Sequence, residues 1–132
     1  MAKLLLKINV NIQTSSNRSG YDKFTPLHFA AENNSIEMAK ILLAMPNINV
    51  NLRTSLKGFT ALHFACVKNN TERVKLLLLM PNINLKIKSA TSNHGATMAD
   101  YSYRRMTSLQ IAIENKNFEI INLFAGSKKN IC

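Results

Sequence analysis

Apolar residues in the segment 24–46 follow the spacing of two short helices. In the second helix they recur every three or four residues, which places four side chains on one helical face: Ile36, Ala39, Leu42 and Leu43. Pro46 ends this helix because proline cannot continue one. The first helix begins after Thr25 and extends to about Glu32. The asparagine pair at 33–34 ends it, because asparagine tolerates the left-handed conformation at a helix end. The pattern therefore predicts a unit of helix, tight turn, helix and loop.

The same unit occurs again further along the chain. Residues 59–66 (Phe-Thr-Ala-Leu-His-Phe-Ala-Cys) nearly copy residues 24–31 (Phe-Thr-Pro-Leu-His-Phe-Ala-Ala), and residues 80–84 copy residues 45–49 at the same shift. A fainter copy covers 106–124, with an insertion before it. One helix pair cannot bury its apolar face without neighbours, and a period of about 20 to 50 residues is typical of stacked repeats. The chain is therefore expected to fold as a stack of helix pairs.

A threonine precedes each predicted first helix: Thr25, Thr60 and Thr107. Threonine is a favourable N-cap because its hydroxyl accepts a hydrogen bond from a backbone N–H in the first turn. His28 and His63 stand three residues later and can reach back to the cap residue, as glutamate does in a capping box; Gln110 replaces them in the third copy. We therefore interpret both histidines as structural capping residues. The alternative is a metal-binding or catalytic role.

The composition limits the classes of protein to which the chain can belong. Its 132 residues, 46% of them apolar, suit one domain with a sizeable core. Cys66 and Cys132 do not form a secreted disulfide framework, the N-terminus lacks a signal peptide, and no segment is long enough to span a membrane. Metal-binding, dithiol and phosphate-loop motifs do not occur in the sequence. We predict a non-enzymatic cytoplasmic protein without a metal or other cofactor.

Charge is strongly unbalanced, with 17 Lys and Arg against 7 Asp and Glu and a formal net charge of +10. Such a surface attracts acidic partners. Nucleic-acid binding would require basic residues interleaved with aromatic residues on one face, and the sequence lacks that pattern. The charge alone does not say which kind of acidic partner binds, and another protein with an acidic patch is one candidate. An anionic polymer or a membrane surface is the alternative.

Residues 25–30 and 60–65 closely resemble the Thr-Pro-Leu-His-x-Ala signature of ankyrin repeats. The resemblance covers about residues 21–126, and the start of the chain resembles half of a further unit. It implies an all-α solenoid of antiparallel helix pairs with hairpin-like finger loops. It also implies a concave face, made by the fingers and first helices, that usually binds another protein. The glycine expected at the turn between the helices is replaced by Asn34, Asn69 and Lys116.

On this scheme residues 1–132 form a single ankyrin-repeat domain. Because the chain starts inside the second helix of a unit, either this first part serves as a cap or the chain is a piece of a longer protein. The predicted parts are a partial repeat or N-terminal cap at 1–20, repeats at 21–55 and 56–88, a loop insertion at 89–103 and a C-terminal repeat at 104–132.

The resemblance also suggests residues that contact the partner. The position before each cap often faces the partner in the family, and here it is large and apolar three times: Phe24, Phe59 and Met106. These residues are expected to form an apolar anchor row; the alternative is that each packs against its adjacent finger. Lys57 and Lys68 add positive charge to the same face.

The insertion before the third unit is a second candidate for partner contact. It carries two residue types that are enriched at binding hot spots: Tyr101, Tyr103, Arg104 and Arg105. It lies on the finger side, where extra loops often carry function. The alternative is a disordered loop.

The sequence thus predicts a scaffold that binds a partner protein by rigid display, since stacked helices lose little ordering entropy on binding. If the organism is an intracellular pathogen or a virus, the resemblance implies an effector that is delivered into a host cell and acts on host proteins. A further alternative is the substrate-adaptor segment of a larger enzyme. A steep fall of affinity with salt would indicate binding to an anionic polymer.

Overall fold

The computed structural model describes residues 9–15, 23–33, 35–55, 57–90 and 103–127. These residues form six helices and, within the described ranges, no strand. The helices are Pro26–Glu32 (α1), Ile36–Leu43 (α2), Ala61–Val67 (α3), Thr71–Leu78 (α4), Ser108–Glu114 (α5) and Phe118–Ala125 (α6). The helix pairs are those that the sequence predicts. The boundaries proposed for the parts of the domain stay a prediction.

The helices are arranged in two layers. The first helices of the three pairs, α1, α3 and α5, contact one another in order, and so do the second helices, α2, α4 and α6. Each first helix also contacts the second helix of its own pair. The pairs are therefore stacked side by side, and their apolar side chains form one core.

Small residues at one aligned position allow the first helices to approach each other. Ala30, Ala65 and Ala112 are 3%, 0% and 0% exposed. Larger side chains fill the core, and the most deeply buried include Leu62, Ile111 and Phe124. Because a close-packed interior leaves little room for change, substitutions at the three alanines are expected to separate neighbouring units.

Each first helix begins at a threonine with a capping box. Thr25 Oγ1 accepts a hydrogen bond from His28 N at 3.2 Å, and His28 Nδ1 accepts one from Thr25 N at 2.9 Å. A cap of this kind contributes about 1 kcal/mol to helix stability. The same two bonds form in the other two pairs, between Thr60 and His63 and between Thr107 and Gln110.

Left-handed backbone closes the described turns between paired helices. Asn69 and Lys116 both have a φ of 56°, in the region that favours glycine. In the third turn Asn117 N then donates to Ala112 O at 3.1 Å, as in a Schellman motif. Lys116 therefore adopts the conformation expected of a turn glycine, at a cost in backbone strain. Asn34, the residue at this position in the first turn, lies outside the described residues.

Asparagine side chains connect the loops that follow the second helices. Asn51 Nδ2 donates to Asn82 O at 2.8 Å, and Asn51 Oδ1 accepts from Asn84 N at 2.9 Å. Asn11 makes the same two bonds one loop earlier, to the backbone of Asn47 and Asn49. We call Asn11 and Asn51, with the loop backbones that they bridge, the asparagine ladder. It fixes the spacing of successive units on the loop side of the stack.

Candidate protein-binding surface

The chain before each first helix forms a loop that returns on itself, which we call a finger. In the second finger Thr54 N donates to Phe59 O at 2.9 Å, and Thr54 Oγ1 accepts from Phe59 N at 3.2 Å. The same two hydrogen bonds close the other two fingers, between Thr14 and Phe24 and between Ser89 and Met106. The described parts of the fingers are residues 9–15 with 23–25, 48–55 with 57–60, and 83–90 with 103–107.

The three fingers share one unusual backbone conformation. The residue two positions before each helix cap has a positive φ: 62° at Lys23, 61° at Gly58 and 53° at Arg105. Lys23 and Arg105 are both exposed. The repeated turn therefore presents a basic side chain at the same place in the first and third fingers.

Arg53 links the second finger to the third. Its Nε donates to Gly58 O at 3.2 Å within the finger, and its Nη2 donates to Lys88 O at 3.0 Å in the next one. Gly58 is required here, because a Cβ at this position would lie 2.7 Å from Arg53 Nη2 and 2.9 Å from Ala90 N. The guanidinium therefore holds two neighbouring fingers in a fixed relative position.

The capping histidines also connect neighbouring fingers. Because Nδ1 of each ring accepts from its cap residue, the proton lies on Nε2, which donates to the next finger. The distances are 2.8 Å from His28 Nε2 to Leu52 O and 2.9 Å from His63 Nε2 to Met106 O. Burial lowers the pKa of His63 to about 4 and lowers the pKa of His28 as well. Both rings are therefore neutral near pH 7 and use both nitrogens for structure.

The described charges are separated between fingers and helices. All charged residues in the described finger segments are basic: Lys23, Arg53, Lys57, Lys86, Lys88, Arg104 and Arg105. All described acidic residues lie on helices: Glu32, Glu37, Glu72, Glu114 and Glu119. Asp22 and Asp100 lie outside the described residues. The finger edge of the stack therefore carries a concentrated positive charge.

The predicted apolar anchor row is wrong for its two phenylalanines. Phe24 and Phe59 are 5% and 4% exposed and belong to the core. Their ring centroids lie 5.2 Å and 5.1 Å from the ring centroid of Phe64. The two hydrogen bonds at the base of each finger turn this position inward, so the side chain packs beneath its own finger. Met106 is half-buried against the same core.

The predicted basic contact residues lie on the surface. Lys57 is half-buried, with its Nζ 5.9 Å from the ring centroid of Phe59. Lys68 is exposed at the C-cap of α3. Arg104 and Arg105 are exposed in the third finger. Whether a partner contacts any of them stays a prediction.

Tyr103 has a structural role within the described residues. Its hydroxyl donates to Asn115 Oδ1 at 2.9 Å, and its backbone carbonyl accepts from Ser89 Oγ. The ring is half-buried against the core. Tyr101 and the greater part of the insertion, residues 91–102, lie outside the described residues.

Among the described residues there is neither an exposed thiol nor a cluster of metal ligands. Cys66 is completely buried, and burial raises the pKa of its thiol well above the usual range. Within the described ranges no three histidine, cysteine or acidic side chains lie close enough to hold a metal ion. The buried titratable groups of the first helices are therefore explained by packing and capping.

Sequence reasoning missed two features of this surface. The linking role of Arg53 has no local signal, because its acceptors are backbone carbonyls in two different fingers. The charge separation had a partial signal: counting charges in the predicted loops gives an excess of basic residues, with Asp22 and Asp100 as acidic exceptions.

Comparison with known families agrees with this architecture. Among the described residues no helix has the length and apolar character needed to cross a bilayer. A search of curated proteins found no match. A family model described as ankyrin repeats (3 copies) matches residues 1–89 and 57–132, which together cover the whole chain. Stacked helix pairs, threonine caps and repeated fingers are consistent with that match, and the chain belongs to the ankyrin-repeat family.

Proposed function

We propose that this protein binds an acidic patch of a partner protein through its basic finger edge. Ankyrin repeats are generally modules for protein–protein interaction and are typically non-enzymatic. The chain supplies what such a module needs, a fixed surface with a distinctive charge. A role as an effector on host proteins, or as the adaptor segment of a larger enzyme, is a narrower form of this proposal. It is based only on roles that are common in the family.

The charge separation is the observation that carries the proposal. Six of the seven basic residues in the described finger segments are exposed, and the seventh, Lys57, is half-buried. No acidic residue stands among them within those segments. Complementary charge steers association and fixes the register of two surfaces. An acidic partner would therefore approach the finger edge rather than the second helices, which carry Glu37, Glu72 and Glu119 beside Lys40 and Lys75.

The rigid construction of the fingers supports the same proposal. Capping histidines, Arg53 and the asparagine ladder tie each loop to the next one. A surface that is already ordered loses less side-chain and loop entropy when a partner binds. The hydrogen bonds therefore support a fixed backbone arrangement for the basic residues of the described finger segments.

Charge reversal on the two sides of the stack tests the proposal. The partner is first captured at two salt concentrations and identified by mass spectrometry. Its affinity is then measured for Lys88→Glu/Arg105→Glu in the fingers and for Lys40→Glu/Lys75→Glu on the second helices. The two variants change the net charge equally, and all four side chains are exposed. The finger variant is expected to lose at least about tenfold in affinity, and the control variant to lose little.

The same measurement separates this proposal from its alternative. Equal losses in both variants would indicate that total charge drives binding, as for an anionic polymer. A steep fall of affinity with salt, from counterion release, would indicate the same. No loss in the finger variant would overturn the assignment of the partner to the finger edge.

A further inference from the structure

A charged side chain is buried on the second helix of the middle pair. Arg73 of α4 is 4% exposed, and its Nε is buried without a hydrogen-bond partner among the described residues. The third residue of the other two second helices is apolar, Met38 in α2 and Ile120 in α6. Burial lowers the pKa of Arg73, but a guanidinium keeps its proton near pH 7. The buried charge therefore destabilises the fold unless an anion pairs with it.

No described acidic residue supplies that anion. Glu72 precedes Arg73 in the chain, but its carboxylate is 73% exposed and accepts from Lys75 Nζ at 3.4 Å. The structure shows no hydrogen bond or ion pair between Arg73 and any acidic side chain of the described residues. The counter-charge of this guanidinium therefore has to come from outside the described part of the chain.

The start of α4 also differs from the starts of the other second helices. Ser35 and Asn117 cap α2 and α6, because each side chain accepts from the N–H of the third helical residue, at 3.3 Å and 3.2 Å. Asn70, the N-cap of α4, makes no such bond, and its Nδ2 donates to Ala31 O at 3.4 Å instead. The N–H of Arg73 is therefore uncapped, at the positive end of the helix dipole.

The uncapped helix start and the buried guanidinium occupy the same place. A helical side chain leans toward the N-terminus of its helix, so Arg73, the third residue of α4, extends toward the first turn. This turn lies between α2 and α6, at the end of the helix pair away from the fingers. Free N–H groups at a helix start bind phosphate groups, and so does the planar fork of an arginine. The two sets of donors can therefore hold one anion.

We propose that the start of α4 binds a phosphate group, held by the guanidinium of Arg73 and by the backbone N–H groups of residues 71–73. The anion supplies the counter-charge of the arginine and the cap that Asn70 does not provide. A phosphate group offers three acceptor oxygens and up to two negative charges to these donors. It belongs to a small molecule or to a phosphorylated side chain of a partner. The site is separate from the finger edge and independent of the function proposed above.

Amide NMR of the full chain, titrated with inorganic phosphate at constant ionic strength, tests this inference. The amide signals of residues 71–73 are expected to shift, with a dissociation constant on the order of 1 mM. Arg73→Met introduces the residue found at the aligned position Met38, and it is expected to weaken binding at least about tenfold. Lys40→Met removes the same charge from an exposed position on α2, and its affinity is expected to match that of the wild type.

Urea unfolding gives a second measurement. Without phosphate, Arg73→Met is expected to unfold at a higher urea concentration than the wild type, because an unpaired buried charge has been removed. Phosphate is expected to stabilise the wild type and Lys40→Met more than Arg73→Met, since only a folded protein with the site intact gains from binding. Asn70→Ser, which introduces the residue that caps α2, is expected to compete with the anion and weaken its binding several-fold.

A short peptide with one phosphoserine distinguishes the two sources of the phosphate group. Tighter binding of this peptide than of inorganic phosphate, with no binding of the unphosphorylated peptide, indicates a phosphorylated segment of a partner. Equal affinities for the peptide and for inorganic phosphate indicate a small molecule. Phosphate-dependent shifts that are confined to the finger segments, or equal phosphate affinities of the wild type and Arg73→Met, would overturn the proposal.

Discussion

At the scale of single residues, the stack depends on a few positions where the fold requires an unusual backbone conformation or a buried titratable side chain. Lys116 adopts a left-handed φ of 56° that a lysine side chain disfavours, because the turn between α5 and α6 requires it. His63 is 1% exposed, and burial lowers its pKa and keeps the ring neutral near pH 7, while both ring nitrogens form hydrogen bonds. Each of these positions leads to a measurable consequence.

Replacing Lys116 with glycine is expected to stabilise the protein. Glycine adopts a positive φ without the steric cost that lysine bears, so the free energy of unfolding should rise by about 1 kcal/mol. Unfolding in urea measures this change. Lys40→Gly, in the middle of α2, is the matched control and should lower stability by about the same amount. An unchanged or lower stability for Lys116→Gly would contradict the account of the turn.

Stability is expected to fall as the pH decreases from 6.5 toward 4. Burial lowers the pKa of His63 from 6.5 to about 4, so the unfolded chain takes up a proton in this range before the folded protein does. His63 alone accounts for a loss on the order of 3 kcal/mol, which is complete once the pH has passed below the pKa of the folded state. Urea unfolding at several pH values measures the slope.

The variant His63→Gln isolates the contribution of this residue. Gln110 already forms a capping box in the third unit, so glutamine can preserve the cap. The variant should lose about 1 kcal/mol at pH 7 with the bond to Met106 O, and its stability should depend less on pH. A slope as steep as that of the wild type would mean that other groups control the acid response.

At the scale of elements, helix positions were predictable because their signals are local. Threonine caps, the spacing of apolar residues and Pro46 lie within the elements they define, and the first pair was expected at its observed place. The burial of Phe24 and Phe59 was not predictable in the same way. The direction of these side chains is set by the two hydrogen bonds at the base of the finger. In the first finger these bonds join Phe24 to Thr14 across a loop.

The asparagine ladder illustrates the same limit. The repeated Met-Pro-Asn-Ile-Asn segments were visible in the sequence, but Asn51 finds its acceptor at Asn82 in the next unit. A partner so distant along the chain becomes evident only when the units are stacked. The repeat therefore predicted that the loops are equivalent, and the structure adds what holds them together.

Substituting Asn51 by alanine tests the ladder. The change removes two hydrogen bonds between successive loops, so the free energy of unfolding should fall by about 1–2 kcal/mol. Asn122→Ala, an exposed asparagine on α6, is the control and should change stability by less than about 0.5 kcal/mol. Equal effects at the two positions, measured by urea unfolding, would mean that the ladder contributes little.

At the scale of the whole molecule, the described charges are kept apart. The described finger segments carry only basic charges, whereas all described acidic residues lie on helices. Salt tests the role of this separation, because screening weakens the attraction of the finger edge to an acidic partner. The affinity for the partner should therefore decrease moderately as the salt concentration rises.

Hydrogen exchange of the backbone amides, with and without the captured partner, tests the central claim most directly. We expect slowed exchange in the finger segments, above all near Lys57 and at 103–107, with little change in α2, α4 and α6. Protection concentrated on those second helices, with the fingers unaffected, would contradict the assignment of the binding surface.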